Sequence, residues 1–223
     1  MRFESELGYL PLLTIKHAAT KVTLDGDLGD WRDATTFTLD DIHFINMAAT
    51  GKKLLWNGPK DLSAQFFIKW DNDALYLAAL VHDDDHIQNA NDQMMWSQDI
   101  LHTAFWIQEQ GKPDARFEFG FGAYADRDHV VKFMNSAGDS AGPDVQFKSK
   151  VDRGAGTCVY EVVIPWARLA PFAPQSGKNF RFSFVVCDAD SQLGKGYNYL
   201  GWTHGISYGK NPVDYATVTL GQE

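Results

Sequence analysis

Strict alternation of apolar and polar residues constrains this chain more than any other feature. In ARFEFGFG, Ala115, Phe117, Phe119 and Phe121 point one way and Arg116, Glu118 and Gly120 the other, the two-residue period of a strand with one face on a core and one in water. Comparable runs bounded by Gly, Pro, Asn and Asp recur at Ser63–Trp70, Ala74–His82, Asp99–Ile107, His129–Phe133, Val145–Val151, Thr157–Ile164, Phe180–Asp188, Tyr197–Thr203 and Tyr215–Leu220. Val22–Leu24 and Thr36–Leu39 are weaker ones. No segment carries a helical apolar stripe over three turns, and PWARLAP, closed by Pro165 and Pro171, has room for a turn or two. About ten to twelve strands without βαβ alternation predict an all-β chain, an antiparallel β-sandwich of the jelly-roll or immunoglobulin-like kind.

Individual runs carry more detail. ALYLAALVH (Ala74–His82) is apolar on both faces, as expected of a central strand covered on both sides. WDNDALY (Trp70–Tyr76) joins two strands through an Asp/Asn-rich turn and reads as a hairpin. Asp40–Leu62 is a longer irregular stretch, and loops of that length are often functional. The two cysteines fall on opposite sides of their strands: the inward set around Cys158 is Tyr160, Val162 and Ile164, whereas Phe180, Phe182, Phe184 and Val186 leave Cys187 facing out. Two free thiols are expected.

The 223 residues suit one domain with a real core. Lys and Arg number 20 against 29 Asp and Glu, for a net charge of −9. That balance argues against nucleic acid or an anionic membrane as partner, since both require a basic face. No apolar run approaches the roughly 18 residues needed to cross a bilayer. The N-terminus is not expected to be a signal peptide, because Glu4 and Glu6 follow Arg2 and GYLPLL is short and broken by Pro11.

For catalysis there is no GxSxG, HExxH, P-loop or GxGxxG pattern. Glu118 and Glu161, the two glutamates inside predicted strands, are expected on a solvated face. Oxygen ligands are densest in VHDDDH, with Asp83, Asp84, Asp85 and then His86 directly after the central strand, and Asp99 opens another. Such acidic strand ends suit a hard cation. DGDLGD begins like an EF-hand, but its twelfth position is Thr36 and no helices flank it. His82 and His86 share a face only in a helix, so a zinc site is not expected from them. Trp96, in the polar stretch NDQMMWSQD, together with Tyr208 and Trp56 are loop aromatics that offer flat faces to sugar rings or lids to the sandwich edge. Trp31, Trp70, Trp166 and Trp202 lie beside strands and are expected in the core.

From Lys21 to Leu220 the signals LDGDLGDW, KWDNDALYLAALVHDD, MWSQDI, YEVVIPWARL, FRFSFVVCDAD and GISYGKNPVDYATVTL occur in an order that resembles carbohydrate-binding module family 9 and related sugar-binding domains of the DOMON-like superfamily. The resemblance implies a jelly-roll-like sandwich with structural calcium, here through Asp83, Asp84 and Asp99. It also implies a module that binds a poly- or oligosaccharide, often at a chain end, and is joined covalently to a catalytic domain of a secreted, extracellular or periplasmic enzyme such as a glycoside hydrolase. By position Trp96 matches the first of two aromatic clamps and Tyr208 the second. The polar set departs from the family pattern: His102 stands where a glutamate is expected, and Glu118 and Gly120 where arginine and asparagine are. With Gln98 and Lys210, His102 and Glu118 are the candidate partners of sugar hydroxyls. Residues 1–20 lie outside the resemblance and are expected to lead in from elsewhere, with residues 21–223 forming the module.

Two other readings follow from the same residues. The altered polar positions suit a structural or interaction domain whose sugar site has eroded. Met94, Met95, Met134 and His86 suit haem ligation in a redox domain of the same superfamily, although methionine also fills core gaps.

Overall fold

A computed structural model describes residues 10–46, 56–135, 144–189, 198–207 and 209–222. Thirteen strands run through them: β1 Leu12–His17, β2 Thr35–Leu39, β3 Ile45–Asn46, β4 Leu62–Trp70, β5 Ala74–Asp83, β6 Ile100–Ile107, β7 Ala115–Ala123, β8 Asp128–Asn135, β9 Gln146–Asp152, β10 Thr157–Pro165, β11 Asn179–Asp188, β12 Asn198–Gly201 and β13 Ala216–Leu220. One sheet runs β8-β7-β6-β11-β13 and the other β4-β5-β10-β9, with β1 between them. The first four residues of β1, Leu12–Ile15, pair with β13, and its last two, Lys16 and His17, pair with β4. A strand that changes sheets in this way makes the corner of a sandwich.

The all-β sandwich is therefore as the alternation predicts, with three differences. Both pairings of β1 are parallel, so the sandwich is not antiparallel throughout. This strand also lies within the stretch read as lead-in, and Ile15 is fully buried. Val22–Leu24 forms no strand; Val22 packs against the outside of the second sheet instead.

The two sheets meet over an aromatic core. Phe117, Phe119 and Phe121 of β7 and Phe180, Phe182 and Phe184 of β11 all point into it. Phe184 stacks on Phe66 of β4 at 4.0 Å with ring planes 8° apart. The WDNDALY hairpin joins β4 to β5, and the Asp71 carboxylate accepts from the amides of Asp73 and Ala74 at 2.8 and 2.9 Å. PWARLAP supplies a single 3-10 turn at Trp166–Leu169. Cys158 lies in the main core and Cys187 in a separate outer cluster, both free and buried.

β5 is covered on both faces, as its composition requires. Leu75, Leu77, Ala79 and Val81 enter the main core, whereas Ala74, Tyr76 and Ala78 pack under Trp31 and Ala34. Glu161 of β10 anchors that cover: its carboxylate accepts from the Trp31 indole at 2.8 Å and from the amides of Asp25 and Gly26. Lys69, fully buried, donates to Asp33 and to the Asp30 carbonyl, each at 2.7 Å. Glu161 thus overturns the expectation of a solvated glutamate. DGDLGDW is a clasp over the sheet, which explains its shape without a metal loop.

Candidate functional site

Strand alternation sends Ile100, His102 and Ala104 of β6, Glu118, Gly120 and Gly122 of β7, and Val185 and Cys187 of β11 to the outer face of the first sheet. This face was expected to be wet and is not. A 3-10 helix at Asp92–Ser97 lies across it, capped by Asn91, whose side chain accepts from the Met94 amide. Its Met95 is fully buried in a cluster with Ile100, Ala104, Val185, Cys187, Ile206 and Tyr215. The two glycines make that burial possible, since a Cβ at Gly120 or Gly122 would come within 3.3 and 3.1 Å of the Met95 methyl. Met95 therefore fills a gap in this cluster.

Within the roofed face, three of the candidate polar residues meet. His102 and Glu118 are 4% and 2% exposed, and His102 Nε2 lies 3.3 Å from the Glu118 carboxylate. Lys210 closes on the same carboxylate oxygen from the loop before β13. Burial pushes the His102 imidazole down, against the pull of Glu118. The ring is thus neutral near pH 7 and donates from Nε2. Burial pushes the Glu118 carboxyl up, but its bond from His102 and the charge and bond of Lys210 outweigh this and hold it below its ordinary range. The site is an ionised carboxylate held between a neutral imidazole and an ammonium. The second oxygen of Glu118, Oε1, is buried without a hydrogen-bond partner.

The chain bends to make this arrangement. Glu118 pairs with Met134 but Phe119 with Lys132, so Phe133 is the extra residue of a β-bulge, a device that re-aims side chains beside functional sites. The Phe133 ring packs on His102 at 4.8 Å and lies beneath the Lys210 ammonium at 5.8 Å. It covers Gly120 so closely that a Cβ there would be 2.5 Å from the ring. Lys210 has φ 52°, after Gly209 at 73°. A lysine in the left-handed region is held there by its surroundings, and such strain clusters at functional sites.

The other candidates fall in different places. Trp96 is half-buried at the end of the 3-10 helix and packs on the same outer cluster. Gln98 is buried and spends its amide on the loop itself, accepting from the amides of Asn89 and Ala90 at 2.7 Å and donating to the Asn89 side chain. In this structure it braces the loop. Tyr208 lies outside the described residues. Trp56 is half-buried against the main core and donates to the Leu62 carbonyl at 2.8 Å, the lid reading for that residue. Trp31, Trp70, Trp166 and Trp202 are all buried.

A second cluster lies where β5 ends and β6 begins. Asp83, His86 and Asp99 are buried and bring three ligand atoms within 4.8 Å of one another. Asp84 is exposed and not among them. The strand turns into a loop at this point, so the side chain that returns to Asp83 is the one three residues on. Asp83 Oδ1 is fixed by the Asp85 amide at 2.9 Å. Asp99 accepts from the amides of Ile87 and, at 2.7 Å, Ala189. Burial, then the charge of Asp83, pushes the Asp99 carboxyl well above its usual range. Two carboxylates so placed attract a cation or a proton.

The sequence pattern of the family described as carbohydrate family 9 binding domain-like matches residues 31–223. The chain belongs to that family. Among solved structures, this family 9-like domain is similar to a carbohydrate-binding module of family 9 from Caldicellulosiruptor kristjanssonii in complex with cellotriose, at 17% identity and a TM-score of 0.61, covering 95% of this chain and 94% of that one. The structure of such a module from the same organism with glucose gives 19% identity and a TM-score of 0.60 over 94% and 97% of the chains. A structure from Bacteroides uniformis ATCC 8492 is more distant, with 15% identity and a TM-score of 0.53 over 95% and 100%. No curated protein matches the sequence significantly.

Sequence reasoning missed two members of these sites. Phe133 sits in a run that reads as an ordinary strand, and nothing local announces a bulge. His86 stands in the acidic VHDDDH segment, but the metal ligands expected there are the aspartates alone. The usable signal was its place three residues after Asp83, on a loop rather than a helix.

Proposed function

We propose that this family 9-like domain is a non-catalytic carbohydrate-binding module that takes a glycan on the outer face of its first sheet. The observation that carries the reading is the buried His102–Glu118 pair joined by Lys210, with the Phe133 ring packed on His102 and under the Lys210 ammonium and Trp96 on the same cluster. Lys210 is the member that reaches solvent, its side chain 42% exposed. Its ammonium offers donors to sugar hydroxyls, while Glu118 and His102 hold it in position. Trp96, Phe133 and Tyr208 supply ring faces for the C–H side of a pyranose. Burying about 100–200 Å² of ring contributes a few kcal/mol, enough for micromolar to millimolar affinity after ordering costs. The solved relatives in complex with cellotriose and glucose support a gluco-oligosaccharide as the first ligand to try.

Asp83 and Asp99 are proposed to hold a divalent cation that ties the loop after β5 to the start of β6. Calcium was the expected ion, and the donors only partly suit it: Asp84 is directed elsewhere and an imidazole stands among the ligands, whereas calcium takes six to eight oxygens. Linkage to a catalytic domain and an extracellular or periplasmic setting complete the reading.

A second reading has its own support. Glu118 is already bonded to His102 and Lys210, the behaviour of a polar set turned inward, as in a structural domain with an eroded site. Calorimetry against soluble gluco-oligosaccharides and polysaccharides separates the two. The binding module gives saturable heat that Trp96→Ala abolishes; silence with every glycan favours the structural domain.

A further inference from the structure

His86 changes the chemistry of the Asp83–Asp99 pair. Its side chain is 6% exposed, and its Nε2 lies 2.9 Å from the Ala123 carbonyl. A carbonyl only accepts, so Nε2 carries the hydrogen and Nδ1 of the neutral ring presents a bare lone pair. That nitrogen is buried without a hydrogen-bond partner, 3.5 Å from an oxygen of Asp83 and 3.7 Å from one of Asp99. Three lone pairs thus face one another in a buried space, two of them on carboxylates, an arrangement that repels unless a cation or a proton joins them. A tetrahedral ion with bonds of about 2.0–2.1 Å separates its ligands by about 3.3 Å, close to the 3.5 and 3.7 Å from His86 Nδ1 to the two carboxylates, and all three ligand atoms lie within 4.8 Å of one another.

We infer that Asp83, His86 and Asp99 form a binding site for a divalent ion of the zinc class, in preference to calcium. The inference rests on the reading that the Asp83–Asp99 pair holds a cation, and it names which one. Hard calcium seeks oxygen alone, whereas zinc accepts imidazole nitrogen together with carboxylate oxygen. The supporting bonds are those of a prepared site: a metal-bound histidine characteristically donates its other N–H to a carbonyl or carboxylate, as His86 does to Ala123. Amides fix one oxygen of Asp83 and both of Asp99, and the Arg153 guanidinium holds the loop by donating to the His86 carbonyl at 2.9 Å.

The test is calorimetric titration of chelator-stripped protein, its metal removal confirmed by elemental analysis, with zinc chloride and separately with calcium chloride. One zinc should bind per chain at least about tenfold more tightly than calcium, and His86→Gln should reduce zinc affinity by about tenfold or more while leaving calcium binding unchanged. Cobalt(II) substitution, read by its visible absorption, gives a tetrahedral spectrum that the variant lacks. Tighter binding of calcium overturns the zinc assignment but leaves a cation at the Asp pair. Equal zinc binding by native protein and His86→Gln marks an adventitious ion elsewhere and also overturns it. No binding of either metal overturns both readings. The native comparison of the two ions stands even where the variant folds poorly.

Discussion

Lys210 and Glu118, 92 residues apart in sequence, close on one another across the outer face of the first sheet. The pair ties the loop before β13 to the middle of β7, and through Glu118 to His102. Lys210→Ala removes the one charge that neutralises a carboxylate 2% exposed. Because the lysine itself is partly in water, the cost is modest, about 1–2 kcal/mol. A melting temperature a few degrees lower in calorimetry, with loss of glycan affinity, is the expected result; full affinity places the ligand elsewhere.

The glycines of this domain separate two kinds of close approach. A Cβ at Gly201 would lie 2.1 Å from the Asn46 amide nitrogen and 2.8 Å from Val185, and Asn46 is buried and bonded to the Thr203 carbonyl. Gly201→Ala therefore destabilises by about 1–3 kcal/mol. At Gly120 the obstacles are the ends of two side chains, the edge of the half-buried Phe133 ring at 2.5 Å and the Met95 methyl at 3.3 Å, with no backbone among them. Gly120→Ala should lower the denaturant midpoint less than Gly201→Ala and still weaken glycan binding. Equal losses of stability in the two variants contradict this account.

Glu161 accepts three hydrogen bonds that hold the DGDLGDW clasp. Glu161→Ala leaves the Trp31 indole N–H and two amides without their acceptor, at about 1–3 kcal/mol for each donor that stays buried. A loss of about 3 kcal/mol or more by urea unfolding is expected, and a loss below about 1 kcal/mol shows that water replaces the carboxylate.

Acid acts on His102 and Glu118 in the same direction. Both pKa values lie below their ordinary ranges in the fold, so the unfolded chain takes up protons first. The stability that each contributes is fully present above its unfolded pKa and is lost as pH falls through its folded value. For His102 the loss begins below about pH 6.5, for Glu118 below about pH 4.3. Between pH 7 and 5 His102→Gln should melt with a flatter pH dependence than the native protein, and parallel curves contradict the buried neutral imidazole.

Most of the fold was legible because alternation reports directly which face a side chain occupies. The Phe117–Phe121 and Phe180–Phe184 ladders, the Asp71 hairpin and the separated thiols all follow from it. What it cannot report is what covers the other face. Glu118 and Glu161 carry the period of solvated positions, yet segments distant in sequence close over each: Asp92–Ser97 and the Lys210 loop over one, Asp25–Trp31 over the other. β1 was missed because a strand of six residues that divides its pairing between two sheets has no hairpin partner nearby. Within the site, His102, Glu118 and Lys210 were identifiable by residue type and position. Gln98 was legible as a candidate but its bonds to the Asn89–Ala90 loop were not, because a loop brace and a ligand contact look alike in sequence.

The central claim is that a glycan docks over the outer face of the β6–β7–β8 region. Titrating 15N-labelled protein with a panel of soluble oligosaccharides, and following the backbone amides by NMR, tests it most directly. The account predicts saturable shifts concentrated at Trp96, Gly120, Phe133 and Lys210, with the amides of β4, β5 and β10 unmoved. Shifts centred on the second sheet, or none with any sugar, would contradict it.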